Sequence, residues 1–311
     1  MPMDILEDFH GLPTFDFPEP GAGTELPPAD SVAWRVRVEA YEAEHSWEEE
    51  FARFAETVDL SRVRALIVGA WSDVYETGPD EVVKPLVEAS DRLTALRALF
   101  LGDIEADECE ISWIHQGQVA PLLQAFPRLE VFGARGGQDL EFAPVEHASL
   151  RTLVLETGGL DASVVRGIAA STLPALERLD LWLGVEYYGG TVEVADLAPF
   201  LSGEGLPALR HLALHNSELQ DEIAMACASA PVVARLETLD LSMGTLGDAG
   251  AEALLSGQPL THLKKLDLSH HYLSEPVQER LNRELAAAGV EVDLDDDDAG
   301  DDDERYVAVS E

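Results

Sequence analysis

Lysine is nearly missing from this chain. It occurs only at positions 84, 264 and 265, and the 20 basic residues in total face 60 acidic ones, for a formal net charge of −40. Nucleic-acid binding through phosphates requires clustered positive charge, so that class is disfavoured; a protein partner with a basic patch suits this field better. Cysteine is equally scarce. Cys109 and Cys227 are the two in the chain, far apart in sequence, and they read as free thiols of a reducing compartment rather than as a disulfide framework. No run of 18 apolar residues occurs, so no membrane-spanning helix and no membrane partner are expected. The N-terminus, Met1-Pro-Met-Asp-Ile-Leu-Glu-Asp-Phe-His10, lacks the basic stretch and apolar run of a secretory signal. Together these features point to the cytoplasm.

What the chain does have is a repeated sentence. Leu236-Glu-Thr-Leu239-Asp-Leu241-Ser-Met-Gly-Thr-Leu246 and Leu263-Lys-Lys-Leu266-Asp-Leu268-Ser-His-His-Tyr-Leu273 superpose after a shift of 27 residues. Leucines two apart share one face of a strand but not of a helix. Leu239 and Leu241 therefore point inward and Asp240 outward. The stretch 247–255 then suits a helix with Ala251, Leu254 and Leu255 on one face. A strand, a helix and a return loop cannot bury their own apolar face, whereas stacked copies can. Anchored on the first leucine of each pair, the copies fall at Leu66, Leu99, Phe132, Leu153, Leu179, Leu212, Leu239 and Leu266, with a closing strand at Val292.

The sequence thus resembles the leucine-rich repeat family, most closely its ribonuclease-inhibitor-type repeats, and an actinobacterial group of such proteins. The resemblance covers residues 60 to 294 and is strongest over 173–273. It implies an α/β fold: a right-handed solenoid, horseshoe-shaped, with a parallel sheet on the concave side and helices on the convex side. It also implies protein recognition more often than catalysis. The asparagine usual after the third leucine stands only at Asn216, with Gly244 and His270 read at the matching positions, so the turns need other hydrogen bonds.

The organisation that follows has three parts. Residues 1–60 form an arm, with Phe9, Phe15 and Phe17 pinning it over the solenoid's end, followed by a strand-helix cap in which Ser46 and Glu49 make a capping box. Residues 61–294 form the solenoid. Its final helix runs over 275–288 behind Ser274 as N-cap, before the strand at 290–294. Residues 295–311 form an acidic tail, and 305–309 have strand character suited to covering the last strand's edge.

Binding residues are expected on two surfaces. On the concave sheet the residues between the leucine pairs project outward: Ile67, Phe100, Gly133, Val154, Asp180, Ala213, Asp240, Asp267 and Asp293, flanked by Trp182 and His215. The first half of this column is apolar and the second acidic, and neighbouring Asp residues there repel one another. The second surface is a rim made of the three longest loops, 69–80, 102–117 and 182–193. It carries Trp71, Tyr75, Trp113, Trp182, Tyr187 and Tyr188; packing over the ends of the leucine core is the other reading for these aromatics, favoured for Trp113, whereas Tyr187 and Tyr188 are expected to be exposed. Aromatic side chains on loops are favoured recognition anchors. The reading is a non-enzymatic protein-binding module. The alternative is a regulatory subunit that uses its acidic tail on an enzyme.

No catalytic residue, cofactor or metal is assigned. Ser269, His270 and Asp267 lie too close in sequence to supply a triad from separate segments. Asp295, Asp297 and Gly300 match a calcium loop, but Ala299 and Tyr306 fail it at the fifth and twelfth positions. His211 and His215 lie on a strand, not a helix. Cys109 sits among acids, which disfavour its thiolate.

Overall fold

The computed structural model describes residues 5–295 and 305–311. Among these, twelve strands form one open sheet in chain order. They are β1 (Asp8–Phe9), β2 (Leu12–Asp16), β3 (Ala33–Val36), β4 (Ala65–Val68), β5 (Ala98–Leu101), β6 (Val131–Arg135), β7 (Thr152–Glu156), β8 (Arg178–Gly184), β9 (His211–Ser217), β10 (Thr238–Asp240), β11 (Lys265–Asp267) and β12 (Glu291–Asp293). Only β1 and β2 pair antiparallel; every later pairing is parallel. The helices of the returning segments are α1 (Trp47–Thr57), α2 (Asp80–Glu88), α3 (Ala120–Ala125), α4 (Ala162–Ala169), α5 (Ala198–Ser202), α6 (Gln220–Cys227), α7 (Asp248–Ser256) and α8 (Glu275–Glu284). This is an α/β solenoid with a parallel sheet, the fold class that the resemblance to leucine-rich repeats implies.

The register explains why so irregular a period still makes one body. Leu66, Leu99, Phe132, Leu153, Leu179, Leu212, Leu239, Leu266 and Val292 are mutual partners across successive strands. The row continues upstream through Trp34 and Phe15. Each leucine of the row is essentially excluded from water, a contribution of about 1.5–3 kcal/mol apiece. Insertions between anchors are absorbed by loops and leave the row intact.

Ser46 and Glu49 close the capping box of α1, and Trp47, Phe51 and Phe54 are buried along one face. Three details differ from the sequence reading. Ser274 occupies the N-cap of α8, but its hydroxyl donates to Asp248 on the preceding repeat instead of capping its own helix. α8 ends at Glu284, and a short 3-10 turn over 286–288 continues to Gly289. The position matching Asn216 is Met243 rather than Gly244: Asn216, Met243 and His270 share the left-handed conformation, with φ of 52°, 62° and 53°. Their backbone N–H groups donate to Ser242, Ser269 and Asp295 respectively, so a backbone ladder replaces the absent asparagine ladder.

Both ends of the chain turn back on the solenoid. The hairpin β1–β2 lays Phe9 on the concave face, in an apolar cluster with Ala33, Ala65, Ile67, Ala98 and Phe100. The C-terminal residues do not join β12; 305–311 run back along the rim at the strands' C-terminal ends, where Val309 and Ala308 hydrogen-bond Asn216 and Met243. Among the described residues β12 is a sheet edge, and it bears Glu291 and Asp293, whose charges oppose edge-to-edge pairing.

Candidate functional site

The concave column is in register as the leucine spacing requires: Ile67, Phe100, Gly133, Val154, Asp180, Ala213, Asp240, Asp267 and Asp293 are successive partners. Its apolar half is covered. The Phe9 ring meets Phe100 edge-on at 6.1 Å between centroids, and Phe100 is buried beneath it. Beside this contact runs an ion network. Arg35 pairs with Asp16 at 2.9 Å and with the fully buried Asp103 at 2.7 Å, and donates to the Leu6 carbonyl at 2.6 Å. Arg135 pairs with Glu156 at 2.7 Å. Burial pushes the Glu156 carboxyl up, against the opposing pull of Arg135.

The acidic half is not a bare row of like charges. Residues two positions before the column share its face, and there Arg178 and Lys265 stand among the aspartates. Arg178 reaches Asp180 at 2.6 Å, and Lys265 bridges Asp267 at 2.8 Å and Asp293 at 3.2 Å. His215 completes the set, with Nε2 2.8 Å from Asp180 and Nδ1 3.5 Å from Asp240. Burial alone would lower the His215 pKa, but the two carboxylates outweigh it and raise it to about 10. Against the same burial penalty, His215 and Ser242 hold Asp240 down at about 2. Asp180 likewise falls below the usual carboxylate range through His215 and Arg178.

Ser242, His215 and Asp180 form a hydrogen-bonded chain in the order of a hydrolytic triad, with Ser242 Oγ 3.2 Å from His215 Nδ1. The chemistry does not follow. An imidazolium fixed between carboxylates has no lone pair to accept a serine proton, and the Ser242 hydroxyl is committed to Asp240 at 2.6 Å. The cluster is an electrostatic staple across β8, β9 and β10. Ser269 donates to Asp267 at 2.8 Å in the same way. Burial pushes the Cys109 thiol up to about 11 and that of Cys227 up to about 12, which keeps both protonated. Among the described residues no group of three His, Cys, Asp or Glu side chains is placed to hold a metal ion, and no helix is long and apolar enough to cross a membrane. The calcium-loop residues Asp297, Ala299 and Gly300 lie outside the described residues.

The loop rim carries the exposed aromatics. Trp71 is a correction: it is fully buried, its indole N–H donating to the Thr77 carbonyl at 2.9 Å, and it belongs to the core. Tyr187 is 86% exposed and Trp113 52% exposed. Two clefts meet at Trp113. One, of about 620 Å³, lies between Trp113 and Tyr187–Tyr188 and is lined by Asp139, Glu141, Asp161 and Glu311. The other, of about 530 Å³, lies between Trp113 and the stacked pair Tyr41–Tyr75, whose centroids are 4.8 Å apart, and is lined by Glu76, Asp107, Glu108 and Glu110. Neither lining contains a lysine or arginine. Arg37 and His115 each approach one of these acids, Glu108 and Asp139. Tyr188 donates to Glu311, which pushes the phenol up to about 12, and Trp182 is half-buried beside Ala308 and Val309. The rim therefore joins all three long loops, together with Tyr41, which the sequence reading passed over because it precedes the first repeat.

Comparison with known proteins agrees with this architecture. Residues 236–255 match the leucine-rich repeat family model. A crystal structure of a Bacteroides fragilis protein is similar, with a TM-score of 0.77 and 28% identity, over 87% of this chain and 77% of that one. No curated protein matches the chain.

Proposed function

We propose that this protein is a binding module whose acidic, aromatic rim takes a basic segment of a partner protein. Leucine-rich repeat domains generally mediate protein–protein contacts, and residues 236–255 carry that repeat. The observation that carries the finer reading is the pair of clefts sharing Trp113, both lined with carboxylates and exposed rings and without a lining lysine or arginine. Arginine side chains suit such a lining twice over, through ion pairs and by stacking on rings. The rim is favoured over the concave column because Phe100, Asp180 and His215 are buried against the chain's own groups. Asp240, Asp267 and Asp293 remain partly open beside it and extend the acidic surface toward the last repeat. An arginine-rich peptide followed by fluorescence anisotropy tests this. The double variant W113A/Y187A should weaken binding at least about tenfold, a loss of ~1.4 kcal/mol, and added salt should weaken binding to the wild type. Equal affinity in wild type and variant would reject the rim as the site.

A further inference from the structure

Residues 305–311 are held as a ligand is held. The three left-handed corners, 27 residues apart, each grip one position of the segment. Asn216 grips Val309 twice: Val309 N–H donates to Asn216 Oδ1 at 3.0 Å, and Asn216 Nδ2 donates to the Val309 carbonyl at 2.6 Å. The Met243 carbonyl accepts the Ala308 N–H at 2.8 Å. His270 Nε2 lies 2.9 Å from the Tyr306 carbonyl, to which it can donate. The three corners lie on successive strands, so their grips are spaced at ~4.8 Å intervals, and the segment passes along them with a bend at Ala308. These contacts are to the segment's backbone, which gives affinity without reading sequence. Side-chain selection comes from Val307 and Val309, two apart and both buried, with Val309 in an apolar cluster with Ile111. Left-handed non-glycine residues such as Met243 and His270 cost stability and persist where they hold something in place.

We propose that this groove is a binding site for a peptide segment with aliphatic residues two positions apart. The chain's own C-terminal segment is its resident ligand, and a partner protein bearing such a segment competes for it. Residue 270 touches both sides of the connection, since its N–H donates to the Asp295 carbonyl and its ring reaches Tyr306. Tethering so close by gives the resident segment an effective concentration on the order of millimolar. A free peptide therefore binds well only when the resident is displaced. The groove adjoins the cleft between Trp113 and Tyr187–Tyr188, which Glu311 of the resident segment helps to line, but its readout is aliphatic rather than basic.

The test uses the full chain. V307D/V309D places two carboxylates in apolar positions and releases the segment. A labelled peptide with the sequence of residues 305–311 should then bind this variant at least about tenfold tighter than it binds the wild type. Adding N216D, which removes the amide donor, should reverse that gain, and a peptide with Asp at both valine positions should bind neither protein. A folded V307D/V309D that ignores the peptide, or binding indifferent to N216D, overturns the proposal. Should V307D/V309D not fold, hydrogen exchange on the wild type decides. Exchange of the Ala308 and Val309 amides through local opening, well below the free energy protecting Leu239, supports a separable ligand. Exchange of these amides only by global unfolding overturns it.

Discussion

His215 is a positive charge enclosed by two acids, and its protonation sets how the molecule responds to alkali. Its folded pKa of about 10 lies above the ordinary 6.5. The stabilisation it brings is complete below pH 6.5 and is lost as pH rises through about 10. Asp240, held down at about 2 from 3.8, acts in the opposite direction: its contribution is present above pH 3.8 and is lost as pH falls toward 2. Urea unfolding should therefore show wild-type stability declining between pH 6.5 and 10. H215Q removes the cation shared by the buried Asp180, which keeps Arg178, and the partly open Asp240, and should cost about 3 kcal/mol at pH 6.5, with the alkaline decline flattened. An H215Q variant that keeps the wild-type slope would place the titrating group elsewhere. The sequence displayed the aspartates of this cluster but not their balance, because Arg178 and Lys265 belong to a neighbouring row of the same face. Trp71 was misplaced for a related reason: its loop is long, but the Thr77 carbonyl lies close enough to fold its indole inward.

At the scale of elements, the repeats were legible because one rule, an inward apolar anchor at a fixed register, is written nine times, seven of them as leucine. The coverings were not. Phe9 gives no sign in sequence that its partner is Phe100, 91 residues away, and a two-residue strand leaves no periodicity to detect. Gly133 is part of that arrangement, since a Cβ there would strike the Phe100 ring. Phe9 is a buried aromatic anchoring a short arm, so F9A should release the arm while leaving the solenoid folded. Limited proteolysis should then cut within residues 5–16 much faster than in wild type, and an environment-sensitive dye should gain an apolar surface at Ile67 and Phe100. Unaltered cleavage would mean that the Arg35–Asp103 network and the Leu6 contacts hold the arm by themselves. Likewise, residues 305–309 look like a strand in isolation, and what removes them from the sheet is the better set of backbone partners offered by three left-handed corners.

The whole molecule carries its charge as a standing repulsion. With 20 basic residues against 60 acidic ones, the compact solenoid concentrates more like charge than the unfolded chain does. Raising sodium chloride from 20 to 200 mM shortens the screening length from roughly 20 Å to under 10 Å and should raise the melting temperature by several degrees. A flat or falling melting temperature would indicate that the internal ion pairs, weakened by the same salt, dominate the field. Under mechanical load the rim segment takes on another character. A force applied at Glu311 meets first the Tyr188 hydrogen bond on that residue and then the grips on Val309, Ala308 and Tyr306, which yield one after another as a peeled seam. Each surrender lengthens the chain by about 3.4 Å and leaves every leucine anchor in place. The solenoid thus has a sacrificial link at one end, which yields before the repeats bear the strain.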